Sequence, residues 1–266
     1  MDITSLQNPK VKDLLLLASK SKERRSRGLF VVEGARETAR ALRCGFEPES
    51  FFVCDSYLAD EARLALGGEE GFSEERIFHV GEKVYDRISC RQGSEGVVAV
   101  MKVPPRGLDS IRIGADPLVL VLESLEKPGN IGAVLRTADA SGVDAVIVCD
   151  PLTDIYNPNL VRASLGAVFS VPVVACSSLE AYDWLRSHGI SILTAQLQDS
   201  ELYYDTDMTV PTAIVMGTED LGLTDFWRER SDRKIRIPMV GLMDSLNVSV
   251  SAAILCFEAV RQRNAR

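Results

Sequence analysis

The chain has 266 residues, of which 46% are hydrophobic and 26% are charged. This composition is typical of a soluble globular protein and argues against a disordered chain, a collagen-like structure and a coiled coil. A chain of this length typically folds into about two domains. The formal net charge of −8 at pH 7 is unfavourable for nucleic-acid binding when the chain is taken as a whole.

The start of the sequence, the cysteines and the histidines together predict a cytoplasmic protein without a metal site. Residues 1–12 are polar and lack the apolar core of a signal peptide, and the apolar run 14–18 is too short to span a bilayer. We therefore expect neither export nor membrane insertion. Only His79 and His188 are available as imidazoles, so a multi-histidine metal site is excluded. The cysteines form no CxxC pair and are expected to be buried reduced thiols: Cys44, Cys54, Cys90, Cys149, Cys176 and Cys256.

Two adjacent prolines mark the clearest boundary in the chain. The segment 102–107 reads KVPPRG, and consecutive prolines interrupt regular structure and stiffen a connection. We therefore predict an N-terminal domain over residues 1–105 and a C-terminal domain over residues 106–266. Alternating patterns predict a small α/β fold for the N-terminal domain. Its predicted strands are 29–32, 51–54, 77–80 and 96–101, and its clearest helical patterns are 11–18 and 33–44.

The C-terminal domain alternates strands and helices more regularly. The predicted strands are 118–122, 145–149, 171–176, 190–195, 213–216 and 235–237, and the predicted helices are 130–141, 158–165, 179–188 and 246–262. Strands separated by helices predict a parallel sheet with helices on both faces. Ligands of such sheets bind beyond the carboxyl ends of the strands. The usual cradles for phosphates and dinucleotides, GxxxxGK[ST] and GxGxxG, are absent from the sequence.

The first of three polar clusters at these strand ends follows strand 118–122. It reads EKPGNIGAVLRTAD from Glu126 to Asp139, where Pro-Gly makes a turn and Asn130 is predicted as the N-cap of the next helix. Arg136 lies between one and two helical turns further on. Two interpretations stay open, namely a capped helix with an exposed arginine, or an arginine directed at an anion above the sheet.

The second cluster follows strand 213–216. It reads IVMGTEDLGL from Ile214 to Leu223, so two glycines and an acidic residue come directly after an apolar strand. Glycine permits positive φ and lets a ligand approach the backbone closely. A plain strand-to-helix loop is the alternative interpretation.

The third cluster joins the short strand 235–237 to the last helix. It reads IPMVGLMDSLNVSVS from Ile237 to Ser251, and either Ser245 or Asn247 could cap that helix. Three serines are more than capping requires, and small side chains would let a ligand or a partner helix approach closely. Capping combined with helix packing is the alternative interpretation.

In this order and spacing, the three clusters resemble the three motifs of the SpoU (TrmH) branch of the SPOUT RNA methyltransferases. The matching residues are Asn130, Gly132, Arg136, Thr137 and Ala138; then Gly217, Glu219, Gly222 and Leu223; then Ile237, Pro238, Met239, Ser245, Leu246, Asn247, Val248 and Ser249. Ser251 departs from the family, which more often has alanine there. The first segment resembles the ribosomal-protein-like substrate-binding domain that often precedes this catalytic domain, through 30–34 (FVVEG) and 96–100 (GVVAV).

The resemblance implies a fold, a cofactor and a reaction. The fold is an α/β sheet whose C-terminal part threads through a loop to form a deep trefoil knot, an arrangement that pattern reasoning alone would not give. The knot forms the cleft for S-adenosylmethionine, and members of the family are homodimers with the cofactor near the dimer interface. The reaction is methyl transfer to a ribose 2′-hydroxyl of RNA and needs no metal.

The resemblance also implies roles for individual residues. Arg136 is the catalytic residue; because a free guanidinium keeps its proton, we expect it to bind a neighbouring phosphate and stabilise the developing alkoxide rather than act as a base. Asn130, Glu219 and Asn247 shape the active site and hold the substrate. The cofactor contacts are expected at Gly217, Thr218, Ile237, Met239, Leu246 and Ser251.

A basic run in the N-terminal domain is the predicted RNA contact. Residues 1–45 carry ten Lys and Arg against five Asp and Glu, so this part of an acidic chain is positive. We expect RNA to be contacted by Lys22, Arg24, Arg25 and Arg27. A solvated helix end is the alternative interpretation of the same run.

Ribosomal RNA is the preferred substrate, because a separate N-terminal substrate domain is present. A 2′-O-methyltransferase of tRNA and an inactive RNA-binding relative are the alternatives. A base methyltransferase of a related knotted family is a further possibility, although the run SLNVS at 245–249 favours ribose. A Rossmann-type nucleotide enzyme is disfavoured by the missing glycine pattern.

Overall fold

The computed structural model describes residues 2–90 and 95–265. The described residues up to the proline boundary form five strands and five helices. The strands are β1 (Asp2–Ile3), β2 (Leu29–Glu33), β3 (Pro48–Val53), β4 (Ile77–Val80) and β5 (Val97–Lys102), and the helices are α1 (Pro9–Ser19), α2 (Ser21–Arg27), α3 (Ala35–Arg43), α4 (Asp60–Gly67) and α5 (Glu82–Ile88).

Seven strands and six helices follow the boundary. The strands are β6 (Leu118–Glu123), β7 (Ala145–Cys149), β8 (Val173–Cys176), β9 (Ser191–Ala195), β10 (Glu201–Leu202), β11 (Thr212–Met216) and β12 (Arg233–Arg236). The helices are α6 (Pro128–Ser141), α7 (Pro158–Ala163), α8 (Ala167–Ser170), α9 (Ser178–Ser187), α10 (Asp225–Arg230) and α11 (Val248–Asn264). Short 3-10 turns occupy Glu74–Arg76, Leu108–Ser110 and Tyr203–Asp205.

The chain divides into two compact units. The first contains residues 1–105 together with 154–170, and the second contains residues 106–153 and 171–266. The segment 154–170 carries α7 and α8, which the sequence placed in the C-terminal domain. Its position has a physical reason, because Tyr156 stacks on Phe30 with ring centroids 4.4 Å apart and Phe169 meets the ring of Phe46 edge-on at 5.0 Å.

The first unit is built on a mixed five-stranded sheet in the order β1-β4-β3-β5-β2. β5 runs antiparallel to β2 and β3, whereas β4 runs parallel to β1 and β3. The helix predicted over 11–18 is confirmed by α1, whose residues Val11, Leu14 and Leu17 are buried together with Phe52 of β3 and Val98 of β5. Burying such side chains contributes about 1.5–3 kcal/mol each.

The second unit is built on a seven-stranded sheet in the order β10-β12-β9-β11-β6-β7-β8, in which every pair of neighbours is parallel. Val119 and Val121 of β6 pack in one cluster with Trp184 of α9 and Trp227 of α10. The alternate residues Leu118, Leu120 and Leu122 are also fully buried and point to the opposite face. α6 and α11 pack against each other and contribute no described residue to the cluster of the two tryptophans. The predicted parallel α/β sheet with helices on both faces is therefore confirmed.

Two short strands were not predicted, and the trefoil knot stays a prediction. β1 and β10 have two residues each and pair with β4 and β12. The expectation that the thiols are buried holds for Cys54, Cys149 and Cys256, but it is wrong for Cys90, which is exposed. Within the described residues, no helix is both long enough and apolar enough to cross a membrane.

Candidate active site

The carboxylate of Glu219 is the centre of a hydrogen-bonded cluster between the three polar loops of the second unit. It lies in the loop that follows β11 and accepts from the amide Nδ2 of Asn130 at 2.9 Å and from that of Asn247 at 2.5 Å. The ammonium of Lys127 donates to its other oxygen at 2.7 Å. The sequence-predicted residues Asn130, Glu219 and Asn247 are thus brought together from three separate segments.

The lysine fixes the ionisation of this cluster. The hydrogen bond from the Lys127 ammonium holds the pKa of Glu219 below its ordinary range, and the donation by Asn130 lowers it further. In return, the Glu219 carboxylate raises the pKa of Lys127. At neutral pH the cluster therefore contains a carboxylate that only accepts hydrogen bonds, so its neighbours are oriented as donors. Lys127 was not among the predicted site residues, although it directly follows Glu126 in the first motif.

The helix α6 starts before Asn130, so the side chain of Asn130 is not used as its N-cap. Asn130 was predicted as the N-cap, and this prediction is wrong: the helix begins at Pro128 and its N-cap is Lys127. Proline is favoured at the first helical position because its missing N–H would be unpaired there in any case. Asn130 consequently lies in the first helical turn, where its side chain reaches Glu219 instead of capping the backbone.

The start of α11 fixes the orientation of Asn247. This residue is the N-cap of the helix, which was one of the two predicted caps. Its Oδ1 accepts from the backbone N–H of Ser249 at 3.0 Å. The hydroxyl of Ser249 donates to the same oxygen at 2.6 Å. With Oδ1 engaged by the helix, Nδ2 is the end of the amide that points to the Glu219 carboxylate.

The loop after β11 is closed on itself and depends on a glycine. Thr218 and Gly222 exchange two backbone hydrogen bonds of 3.1 and 3.0 Å, forming a small antiparallel bridge. A Cβ at Gly217 would lie only 2.2 Å from the carbonyl carbon and oxygen of Gly222. Only glycine therefore fits at position 217, because the two sides of the loop approach each other within the volume of a side chain.

A buried carboxylate anchors this loop to the centre of the sheet. Glu123, at the end of β6, accepts from the backbone N–H of Thr224 at 2.9 Å and from its hydroxyl at 2.6 Å. This side chain is 3% exposed. The end of the loop is thus held at the carboxyl edge of the parallel sheet, where ligands of this fold class bind. Glu123 was not among the predicted site residues.

A cavity of about 370 Å³ opens beside the Glu219 cluster. All six residues predicted to contact the cofactor line it, namely Gly217, Thr218, Ile237, Met239, Leu246 and Ser251. Glu219 lines it as well, whereas Asn130, Asn247 and Arg136 do not. Loops from the ends of β11 and β12 form two of its walls, as the position of the motifs implied.

A third wall was missed from the sequence. The last residue of β9, Ala195, and the residues 196–198 that follow it line the cavity, and so does Arg228 of α10. The available signal was positional, because β9 is the neighbour of both β11 and β12 and its carboxyl end must therefore lie at the same edge. Without the strand order, which sequence patterns do not give, the loop after β9 could not be assigned to the site.

Arg136 is set apart from the cluster. It is exposed on α6, six residues beyond Asn130, which turns its side chain about 120° around the helix from that asparagine. No ion pair or hydrogen bond of its guanidinium occurs within the described residues. Its charge is therefore available to an anion that approaches from solvent.

The basic run of the first unit divides into buried and exposed side chains. Arg24 is 3% exposed, and its Nε donates to Asp154 at 2.6 Å. The prediction that Arg24 contacts RNA is therefore corrected: it is a structural residue, because its guanidinium is enclosed and already paired. Arg27 forms a bidentate pair with Asp13, at 2.5 and 2.8 Å. Lys22 and Arg25 are exposed.

Comparisons with known proteins match both parts of the chain. The model of the SpoU rRNA Methylase family matches residues 117–257, and the model of the MRM3-like substrate binding domain matches residues 8–99. A 23S rRNA (uridine(2479)-2'-O)-methyltransferase of Streptomyces viridochromogenes is 32% identical over 260 residues, covering 93% of this chain and 88% of the relative. The 23S rRNA (guanosine(2553)-2'-O)-methyltransferase RlmP of Bacillus subtilis (strain 168) is 30% identical over 255 residues, covering 96% of this chain and 97% of the relative.

A solved structure is similar over almost the whole length. The SpoU methyltransferase AviRb from Streptomyces viridochromogenes, in complex with the cofactor AdoMet, has a TM-score of 0.88 and 29% sequence identity, covering 97% of this chain and 99% of that one. The sequence motifs, the parallel sheet and these matches agree with one another. The chain belongs to the SpoU rRNA methylase family.

Proposed function

We propose that this protein transfers a methyl group from S-adenosylmethionine to a ribose 2′-hydroxyl of ribosomal RNA. The observation that carries the proposal is the position of the cavity, which is lined by all six residues that the resemblance assigns to the cofactor and adjoins the Glu219 cluster. The printed names of the relatives, two methyltransferases of 23S rRNA, support ribosomal RNA as the substrate. This substrate also supports a cytoplasmic location.

The cavity fits a cofactor of this size and chemistry. Its volume of about 370 Å³ falls within the range of small-molecule sites, roughly 300–1,000 Å³. Met216, Ile237 and Leu255 offer apolar surface to an adenine ring, and the backbone of the glycine loop offers hydrogen-bonding groups. When bound, S-adenosylmethionine supplies a methyl group that its sulfonium has already activated.

We assign the substrate end of the reaction to the Glu219 cluster. The ionised Glu219 holds the amides of Asn130 and Asn247 in fixed orientations, so both asparagines are positioned before RNA arrives. A preorganised polar cluster beside the cavity would align the ribose hydroxyl for in-line attack. The exposed Arg136 guanidinium binds the adjacent phosphate and stabilises the developing alkoxide, and because it keeps its own proton, the proton of the 2′-hydroxyl passes to solvent water.

We assign residues 1–105 to RNA binding and residues 106–266 to catalysis. The matches to a substrate-binding domain over 8–99 and to the methylase family over 117–257 support this division. Lys22 and Arg25 remain the candidate phosphate contacts of the basic run, because both are exposed. Arg27 contributes less, since its charge is balanced by Asp13.

We also propose that the protein is a homodimer. The loop before α11 and the helix itself carry large apolar side chains that face solvent: Val240 is 102% exposed, Leu242 105%, Met243 70%, Val250 46% and Phe257 48%. A group of exposed apolar residues of this size is uncommon on a monomer and favours a protein interface. Light scattering at micromolar concentration should give twice the mass of the chain, and a monomer would contradict the proposal.

The decisive experiment maps 2′-O-methylated nucleotides in cellular RNA with and without the gene. One nucleotide in ribosomal RNA should lose its methyl group and regain it on complementation. Complementation with Arg136→Ala should fail, whereas Arg112→Ala, which removes an exposed arginine of the same unit, should restore the methyl group. A lost methyl group in tRNA would redirect the substrate assignment, and full activity of a folded Arg136→Ala protein would reject the role of the arginine.

A further inference from the structure

Two side chains in the described part of the chain carry a buried polar atom without a hydrogen-bond partner, and both line the cofactor cavity. The atoms are Oε1 of Gln196 and Nε of Arg228. A buried donor or acceptor without a partner destabilises a folded protein, and more so when it belongs to a charged group. Because both atoms lie in the wall of one cavity, a molecule bound there is able to supply both partners.

Arg228 differs from the arginines around it. Arg186 pairs with Asp232 at 2.8 Å, and the guanidinium of Arg230 lies over the ring of Phe226. For Arg228, no ion pair occurs among residues 2–90 and 95–265. A cation that lines a cavity and lacks a carboxylate of its own is suited to an anionic ligand group.

The glycine loop makes room for this guanidinium. A Cβ at Gly222 would lie 3.4 Å from Nη2 of Arg228, and Gly222 has a φ of +69°, which disfavours any residue with a side chain. The guanidinium therefore lies against the same loop that Gly217 closes. Both glycines of the second motif thus shape one wall of the cavity, and Arg228 lines the cavity next to that wall.

Gln196 supplies the complementary acceptor on the wall formed after β9. Its Nε2 donates to the carbonyl of Gln198 at 2.9 Å, and this contact orients the amide. Oε1 is then left as an acceptor in the cavity wall. A donor on one wall and an acceptor on another match a ligand that carries both an anionic group and N–H or O–H groups.

We propose that Arg228 is a specificity-determining residue that pairs with the carboxylate of S-adenosylmethionine. This inference rests on the proposed function. The carboxylate is the only anionic group of that molecule, and a planar guanidinium is the side chain best matched to it. The acidic residues that line the cavity, Glu219, Asp220 and Asp244, repel an anion, so they favour placing the carboxylate at the arginine.

The test compares S-adenosylmethionine with its decarboxylated analogue, which lacks only the carboxylate. Calorimetric titration of the full chain should give an affinity for the analogue that is about tenfold to a hundredfold weaker. Arg228→Met should weaken binding of S-adenosylmethionine by the same factor and leave binding of the analogue within about twofold. Arg228→Lys should recover part of the difference, because it restores the charge without the planar fork.

A matched control is Arg230→Met on the same helix, which should bind both ligands as the wild type does. Equal affinity of the wild type for the two ligands overturns the inference, whether or not any variant folds. Equal losses for both ligands in Arg228→Met, or a loss confined to RNA binding, overturn it as well. Failure of the wild type to bind either ligand would instead reject the proposed function itself.

Discussion

Replacing Arg24 by methionine should destabilise the first unit strongly. Nε of this arginine donates to Asp154 at 2.6 Å, and its Nη1 donates to the carbonyl of Leu17 at 2.7 Å. The two charged side chains are 3% and 9% exposed. Methionine fills a similar volume but removes the cation, so the Asp154 carboxylate would stay buried without its partner.

The size of the effect follows from this burial. Breaking a buried ion pair by removing one partner costs about 3–5 kcal/mol, because the remaining charge is left uncompensated. Removing both charges, in Arg24→Met combined with Asp154→Asn, should cost less than Arg24→Met alone for the same reason. The exposed Arg25 provides the matched control, and Arg25→Met should change stability by less than about 0.5 kcal/mol.

The assay must report on the first unit separately. Both tryptophans, Trp184 and Trp227, lie in the second unit, so their fluorescence follows that unit only. Unfolding of the first unit is better followed by hydrogen exchange of the amides of α2 and β2 during urea titration. If Arg24→Met were as stable as Arg25→Met and instead lowered RNA affinity, the structural role of Arg24 would be refuted.

Three further perturbations test the site and its surroundings. Gly217→Ala should abolish calorimetric binding of S-adenosylmethionine without loss of the folded state, since a Cβ there meets the backbone of the loop at 2.2 Å; unchanged binding would contradict the tight closure. The pKa of Glu219 is depressed below its ordinary value of 4.5 in the folded protein. The ionised side chain therefore stabilises the fold fully above that value, and this contribution is lost as pH falls through the folded pKa. The difference in unfolding free energy between wild type and Glu219→Gln should accordingly shrink in acid and stay constant from pH 6 to 8. Neutralising Lys22 and Arg25 should flatten the dependence of RNA affinity on salt by about two units of log–log slope, and an unchanged slope would remove them from the interface.

The elements that the sequence predicted best are those whose burial is independent of distant partners. β7 has the predicted bounds, Ala145–Cys149, because it is a continuous apolar run that is buried throughout. β4 also has its predicted bounds, Ile77–Val80, although the two residues in its middle are only half-buried. The two-residue strands β1 and β10 carry no such signal. They are strands only because β4 and β12 offer them unpaired edges, and this depends on the tertiary fold.

The site was predicted through its motifs but not through its geometry. Spacing placed Asn130, Glu219 and Asn247 at strand ends, and the parallel sheet brings those ends to one edge. What spacing could not give is the direction of each side chain. Asn130 was predicted to cap a helix, yet Pro128 starts that helix earlier and turns the amide to Glu219. The same early start makes Lys127 the N-cap of the helix, and its ammonium donates to that carboxylate.

The segment 154–170 shows why domain boundaries drawn along a sequence can be incomplete. It lies within the stretch matched by the methylase family, yet it belongs to the first unit. Two contacts hold it there, the pair of Asp154 with Arg24 and the stacking of Tyr156 on Phe30. The partners are more than 120 residues apart in the chain, so neither composition nor periodicity could have joined them.

Fewer cations of the basic run are available to contact RNA than its composition suggests. Four cations within residues 22–27 predicted an electrostatic surface for RNA, but the cation of Arg24 is buried against Asp154 and that of Arg27 is balanced by Asp13. Of the four cations, Lys22 and Arg25 are the two that are exposed and not paired with Asp13 or Asp154. Two phosphate contacts account for only a modest salt dependence. The overall charge of −8 is compatible with an RNA substrate, because the proposed phosphate contacts Lys22, Arg25 and Arg136 are individual exposed cations, and such local contacts do not require a positive net charge of the chain.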